Sequence, residues 1–95
     1  MTTGLLKKRG KDIRRVARAH GVARVRIFGS HASGRARVGS DVDLLIRLRP
    51  GRDLLDLVEF KLDIEDMLGC EVDVVSEGGL SPYLRQEILR SAKPL

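Results

Sequence analysis

Residues 28–46 read FGSHASGRARVGSDVDLLI, and the spacing within this stretch decides how the chain folds. An apolar run from Val25 to Phe28 stops at the pair Gly29-Ser30. After ten intervening residues, Asp41-Val42-Asp43 opens a second apolar run, Leu44 to Ile46. Apolar runs bounded by Gly and Ser read as strands. Side chains on a strand alternate faces, so Asp41 and Asp43 project from the same one. Neighbouring carboxylates raise each other's pKa unless a cation lies between them. Hard oxygen donors suit Mg2+, which takes one or two carboxylates, waters and substrate phosphates. A Gly-Ser turn that opens a helix offers backbone N–H groups and a hydroxyl to phosphate oxygens. A phosphate cradle beside a metal-binding pair points to nucleotide chemistry.

Outward from this stretch the pattern stays regular. Leu5 to His20 has the period of a helix, with Leu6, Ile13, Val16 and Ala17 on one side and Gly21 at its end. Val22 to Phe28 alternates through Arg24 and Arg26, as a half-buried strand does. Ser30 is placed to cap a short helix to about Arg37, Gly39-Ser40 is a turn, and Asp41 to Leu48 is the second strand. Asp53 and Asp56 form a capping pair for a helix to Leu68, which Gly69 stops. Glu71 to Ser76 is a third strand, and Ser81-Pro82 opens a C-terminal helix. The order αβαβαβα predicts an α/β (α+β) domain, residues 1–95, with a small sheet of three to four strands flanked by helices. The link between the first two strands is too short for a crossover helix, so the sheet is expected to be mixed.

Ninety-five residues make one small domain, burying roughly 60–65% of its unfolded surface. No apolar run reaches membrane length and no signal peptide is visible, so no membrane association is expected. The single Cys70 excludes an internal disulfide and fits a reducing, cytoplasmic setting. Aromatic side chains are confined to Phe28, Phe60 and Tyr83, too few to stack bases, which argues against nucleic acid as direct substrate. Eleven Lys/Arg face one acid up to Arg37, whereas seven face twelve acids thereafter. This asymmetry reads either as a solvated basic helix or as a surface for a polyanion or an acidic partner. The apolar positions from Leu54 to Leu68 cover more than half the helix circumference. Either the helix packs on two neighbours, or Phe60, Ile64 and Met67 form an exposed edge that meets a partner.

Gly-Ser, ten residues and Asp-x-Asp, with Gly69-Cys-Glu-Val-Asp73-Val-Val and Leu80-Ser-Pro82 further on, resemble the DNA polymerase beta-like nucleotidyltransferase superfamily. Small size and flanking sequence are similar to its minimal nucleotidyltransferase (MNT) family. The resemblance implies that Gly29 and Ser30 hold the terminal phosphates of a nucleoside triphosphate. It implies that Asp41, Asp43 and Asp73 are catalytic and bind divalent metal, two Mg2+ ions, with Asp73 also deprotonating the attacking hydroxyl. The reaction implied is transfer of a nucleoside monophosphate, usually AMP from ATP. The implied setting is a toxin–antitoxin pair in which the MNT antitoxin adenylylates a helical HEPN toxin.

Many family members carry a basic residue where Ser33 stands; Arg35 or Arg37 is the candidate replacement toward the triphosphate. His31 is expected at the surface or against phosphate, without a catalytic role. His20 is expected at a helix C-terminus. A non-catalytic module that neutralises a helical partner by steric contact is the alternative, and a basic nucleic-acid binder acting through Arg14, Arg15 and Arg18 is a weaker one. Whether the chain forms a homo-oligomer stays open.

Overall fold

The computed structural model describes residues 2–37 and 41–95, so the expected Gly39-Ser40 turn lies outside the described residues. The N-terminal helix is two: α1 (Thr3–Lys8) and α2 (Gly10–Ala19), broken at Arg9. Gly10 weakens helical continuity, and it is buried where a methyl group would come within 3.4 Å of the Leu95 main chain. The Thr2 hydroxyl caps α1 by accepting from the Leu5 amide at 3.2 Å. His20 ends α2 as expected, and its Nε2 pairs with the Asp63 carboxylate at 2.5 Å.

The remaining elements are β1 (Val22–Phe28), α3 (Ser30–Ser33), β2 (Val42–Leu48), α4 (Leu54–Leu68), β3 (Val72–Ser76), a 3-10 turn (Glu77–Gly79), α5 (Pro82–Ser91) and β4 (Lys93–Pro94). The sheet order is β3-β2-β1-β4. β1 runs antiparallel to β2 and β4, whereas β2 and β3 are parallel and joined through α4. A parallel pair needs such a crossover, and α4 is the segment long enough to provide it.

α4 carries the expected capping box: Asp53 accepts from the Leu55 amide, and Asp56 from the Asp53 amide at 2.9 Å. It ends at Gly69 in the left-handed region, φ +68°. Phe60 and Ile64 are fully buried and Met67 partly so. They belong to the core and not to an exposed edge, which corrects that expectation. The exposed apolar residues of α4 are Leu54, Leu55, Val58 and Leu62.

One face of the sheet, with Val25, Ile27, Val42, Leu44, Ile46 and Val72, packs on Leu6, Ile13 and Ala17 and on Phe60 and Ile64. Alternation sends Phe28, Asp43 and Asp73 to the other face. These three lie in one row, Phe28 opposite Asp43 and Asp43 opposite Asp73. The next row on that face is Arg26, Leu45 and Val75. No helix among the described residues is long and apolar enough to cross a membrane.

Candidate active site

β1 delivers Gly29 to the end of the sheet, and the chain turns there at φ +70° and ψ −147°. This is a region that L side chains rarely adopt. A β carbon on Gly29 would overlap the Asp43 Oδ2 and stand 3.1 Å from its Cγ. The turn and the carboxylate are therefore in direct contact. The Gly29 carbonyl accepts from the amides of Ala32 and Ser33 at 3.2 and 3.0 Å, so Gly29 is the N-cap of α3. Ser30 is its first helical residue, not the cap that the sequence suggested, and its hydroxyl is not spent on capping. α3 ends at Ser33 and Gly34, short of the expected Arg37. Gly34 takes the left-handed conformation at φ +77°, which closes so short a helix.

Asp43 is half-buried and Asp73, across the parallel pair, is exposed. Burial first, then the charge of Asp73 and a hydrogen bond between the two side chains, push the Asp43 carboxyl above its ordinary value. The Asp41 charge adds to this, and the charge of His31 opposes it. Asp41 is exposed, immediately before β2, and acts on Asp43 at longer range. Among the described residues no three His, Cys, Asp or Glu side chains stand close enough together to hold a metal ion. The structure thus brings Asp43 and Asp73 together, with Asp41 beside them and not in a closed trio. Two oxygen-donor carboxylates that oppose each other's ionisation fit a hard divalent cation, and Mg2+ is such a cation.

Arg35 is exposed just past α3, its amide bound to the Ser30 carbonyl at 3.0 Å. His31 is 2% exposed and not at the surface; its Nδ1 meets the Thr3 hydroxyl at 2.8 Å. That tie, across 28 residues, fixes α3 against α1, and no local pattern signals it.

Sequence reasoning also missed Glu77. It sits on the same sheet face as the acid pair, in ion pairs with the buried Arg26 and with Arg47 (2.7 Å). Burial favours its neutral form, but the hydrogen bond from Arg47 and the charges of Arg26, Arg47 and Arg24 outweigh this and hold its carboxyl below the usual value. The alternation of Arg24 and Arg26 through β1 was the available signal that such a counter-ion exists.

The model of the family described as "Nucleotidyltransferase domain" matches residues 11–95. The chain belongs to that family. This nucleotidyltransferase is 44% identical over 73 residues to a Methanocaldococcus jannaschii protein named as a candidate protein adenylyltransferase, covering 77% of this chain and 78% of that one. A solved structure described as a candidate minimal nucleotidyltransferase shares 47% identity and superposes with a TM-score of 0.89, covering 100% of this chain and 97% of the other. A chain from the complex of a tri-AMPylated Shewanella oneidensis HEPN toxin with an MNT antitoxin superposes with a TM-score of 0.71 at 19% identity, covering 93% and 69%. At that identity the last likeness concerns the fold alone.

Proposed function

We propose that this nucleotidyltransferase transfers AMP from ATP to a hydroxyl of a HEPN-type partner protein, as the antitoxin of the pair. The observation that carries the proposal is one contact row: the Gly29-Ser30 turn lies against Asp43, and Asp43 faces Asp73. This contact supports the reading that the turn serves phosphate and the carboxylates serve metal, since the two would then adjoin. Relatives named as protein adenylyltransferases support AMP as the transferred group. The fold shared with a HEPN–MNT complex supports the partner.

In this mechanism Gly29 and Ser30, with Arg35 beyond α3, bind the β and γ phosphates. Asp43 and Asp73, with Asp41 beside them, would hold Mg2+, two ions in all, which when bound would supply neutralisation of the charge that develops in the transfer. Asp73, exposed at the end of its row, takes the proton of the acceptor hydroxyl. The hydroxyl oxygen forms a bond to the α phosphorus, the α–β anhydride bond breaks, and pyrophosphate leaves with its electron pair. Positioning and charge neutralisation carry most of the rate. We place the reaction in the cytoplasm, where ATP and a reduced thiol such as Cys70 coexist.

The test combines the purified chain, its HEPN partner, ATP and Mg2+. A partner heavier by an AMP unit, with pyrophosphate released, is the expected result. Asp43→Ala and Asp73→Ala should each abolish it while leaving the circular dichroism spectrum unchanged. An unmodified partner and no pyrophosphate from the intact chain would overturn the proposal.

The exposed stripe of Leu54, Leu55, Val58 and Leu62 favours a second function, neutralisation by contact alone. In that case Asp43→Ala still neutralises the partner, and Leu62→Glu does not.

A further inference from the structure

α3 is a single turn, Ser30–Ser33, and so short a helix does not hold itself in place. Glycines at positive φ stand at both of its ends, Gly29 and Gly34, so the backbone junctions are permissive as well. Its position is set from outside, through its two buried residues, His31 and Ala32. Ala32 belongs to the hydrophobic core and anchors one point. That contact is apolar and non-directional, and it does not fix rotation about the point. His31 supplies the second point, and its hydrogen bond with the Thr3 hydroxyl is directional. Thr3 is the first residue of α1, which is itself fixed by Leu6, fully buried in the core. Contacts thus run from the core through Leu6 and Thr3 to His31, the residue after Ser30. The charge of His31 also acts on Asp43, so the ring lies within electrostatic reach of the acid pair.

We propose that His31, held by Thr3, is a positioning residue for nucleotide binding: it fixes the orientation of the Gly29-Ser30 turn, and with it the Ser30 hydroxyl, toward the triphosphate. The proposal rests on the reading of that turn as the phosphate site. His31 acts through Ser30 and takes no part in the chemistry. The physical reason is the cost of an unmet buried group. Without the Thr3 hydroxyl, Nδ1 of the buried ring loses this partner, and the ring shifts toward another partner or water. Any such shift carries Ser30 with it, because the two residues are adjacent in one turn. A displacement of about 1 Å is enough to lower a rate about 100-fold. The hydroxyl is the part that matters. Serine should therefore replace threonine, whereas valine, of the same shape without the hydroxyl, should not.

The test is a calorimetric titration of the full chain with the Mg2+ complex of α,β-methylene ATP, whose α–β link is not cleaved. Thr3→Val is expected to weaken binding at least tenfold, Thr3→Ala to do the same, and Thr3→Ser to stay within twofold of the parent. Thr2→Ala is the control, since it removes the α1 cap at Leu5 and leaves the tie to His31 intact. It should lower the melting temperature without changing nucleotide affinity. A readout free of nucleotide accompanies these: the amide resonances of Ser30 and Asp43 should shift in Thr3→Val and not in Thr2→Ala. Parental affinity in Thr3→Val, or equal weakening by Thr2→Ala, would overturn the proposal while leaving the phosphate reading in place. Unmoved Ser30 and Asp43 resonances in Thr3→Val would overturn it whatever the titration gives. Failure of the parent chain to bind the nucleotide would overturn the phosphate reading, and this proposal with it.

Discussion

Gly29 and Asp43 constrain each other. The glycine sits at φ +70° with the carboxylate where its side chain would be. Gly29→Ala is expected to cost about 1–3 kcal/mol from a positive-φ backbone essentially confined to glycine. It should also displace Asp43 and lower the rate of AMP transfer about 100-fold, since misplacement near 1 Å has that effect. Urea unfolding and pyrophosphate release measure the two consequences separately. Glu77 gives a pH dependence. Its carboxyl is depressed in the folded protein, so its contribution is present above the ordinary value of 4.5 and is lost as pH falls through the lower folded value. Stability measured by denaturant at pH values descending from 5 should therefore fall. Glu77→Gln should flatten that fall and, at neutral pH, cost about 3–5 kcal/mol by leaving the buried Arg26 without its counter-charge.

At the scale of elements, α4 was the most legible and also the most misleading. Asp53, Asp56 and Gly69 announce its ends through local chemistry that needs no tertiary partner. Asp53→Ala is expected to cost about 1 kcal/mol, read as a shift of the urea midpoint. The choice between buried and exposed apolar residues was not legible, because the whole broad face satisfies a helical period. Tertiary packing selects Phe60 and Ile64 for the core and leaves Leu54, Leu55, Val58 and Leu62 outside. Phe60→Ala should cost about 3–5 kcal/mol, whereas Leu62→Ala should change stability by less than about 0.5 kcal/mol. The strands and the mixed sheet were readable from alternation and from the short β1–β2 link. The break at Arg9 was legible only through Gly10, a weak helix former, whose burial beside Leu95 from the far end of the chain no local pattern signals. His31 was misread for the same reason: its partner Thr3 lies in another helix.

Taken whole, the molecule concentrates positive charge before Arg37 and negative charge after it, and the fold lays these halves on neighbouring strands. The shared sheet face carries the acid row at one end, and the Arg24–Arg26–Glu77–Arg47 group begins in the very next row. Spacing revealed Asp41 and Asp43 as candidates and the family resemblance added Asp73, but pairing register decides that Asp43 and Asp73 are the ones in contact. Leu55→Glu combined with Leu62→Glu should leave the melting temperature within a few degrees of the parent. The same double change should weaken capture of a HEPN partner in a pull-down, if α4 supplies the contact surface.

The parallel pairing of β2 with β3 also governs when activity can arise during synthesis. The two opposed acids lie in strands joined through α4, and non-local parallel pairings close slowly because a long loop must first be ordered. A nascent polypeptide that has left the ribosome only as far as α4 owns one half of the pair and lacks the complete candidate site. If the proposed site is the working one, the onset of turnover during synthesis is expected to coincide with docking of β3 on β2, measurable by assaying ribosome-bound chains of increasing length.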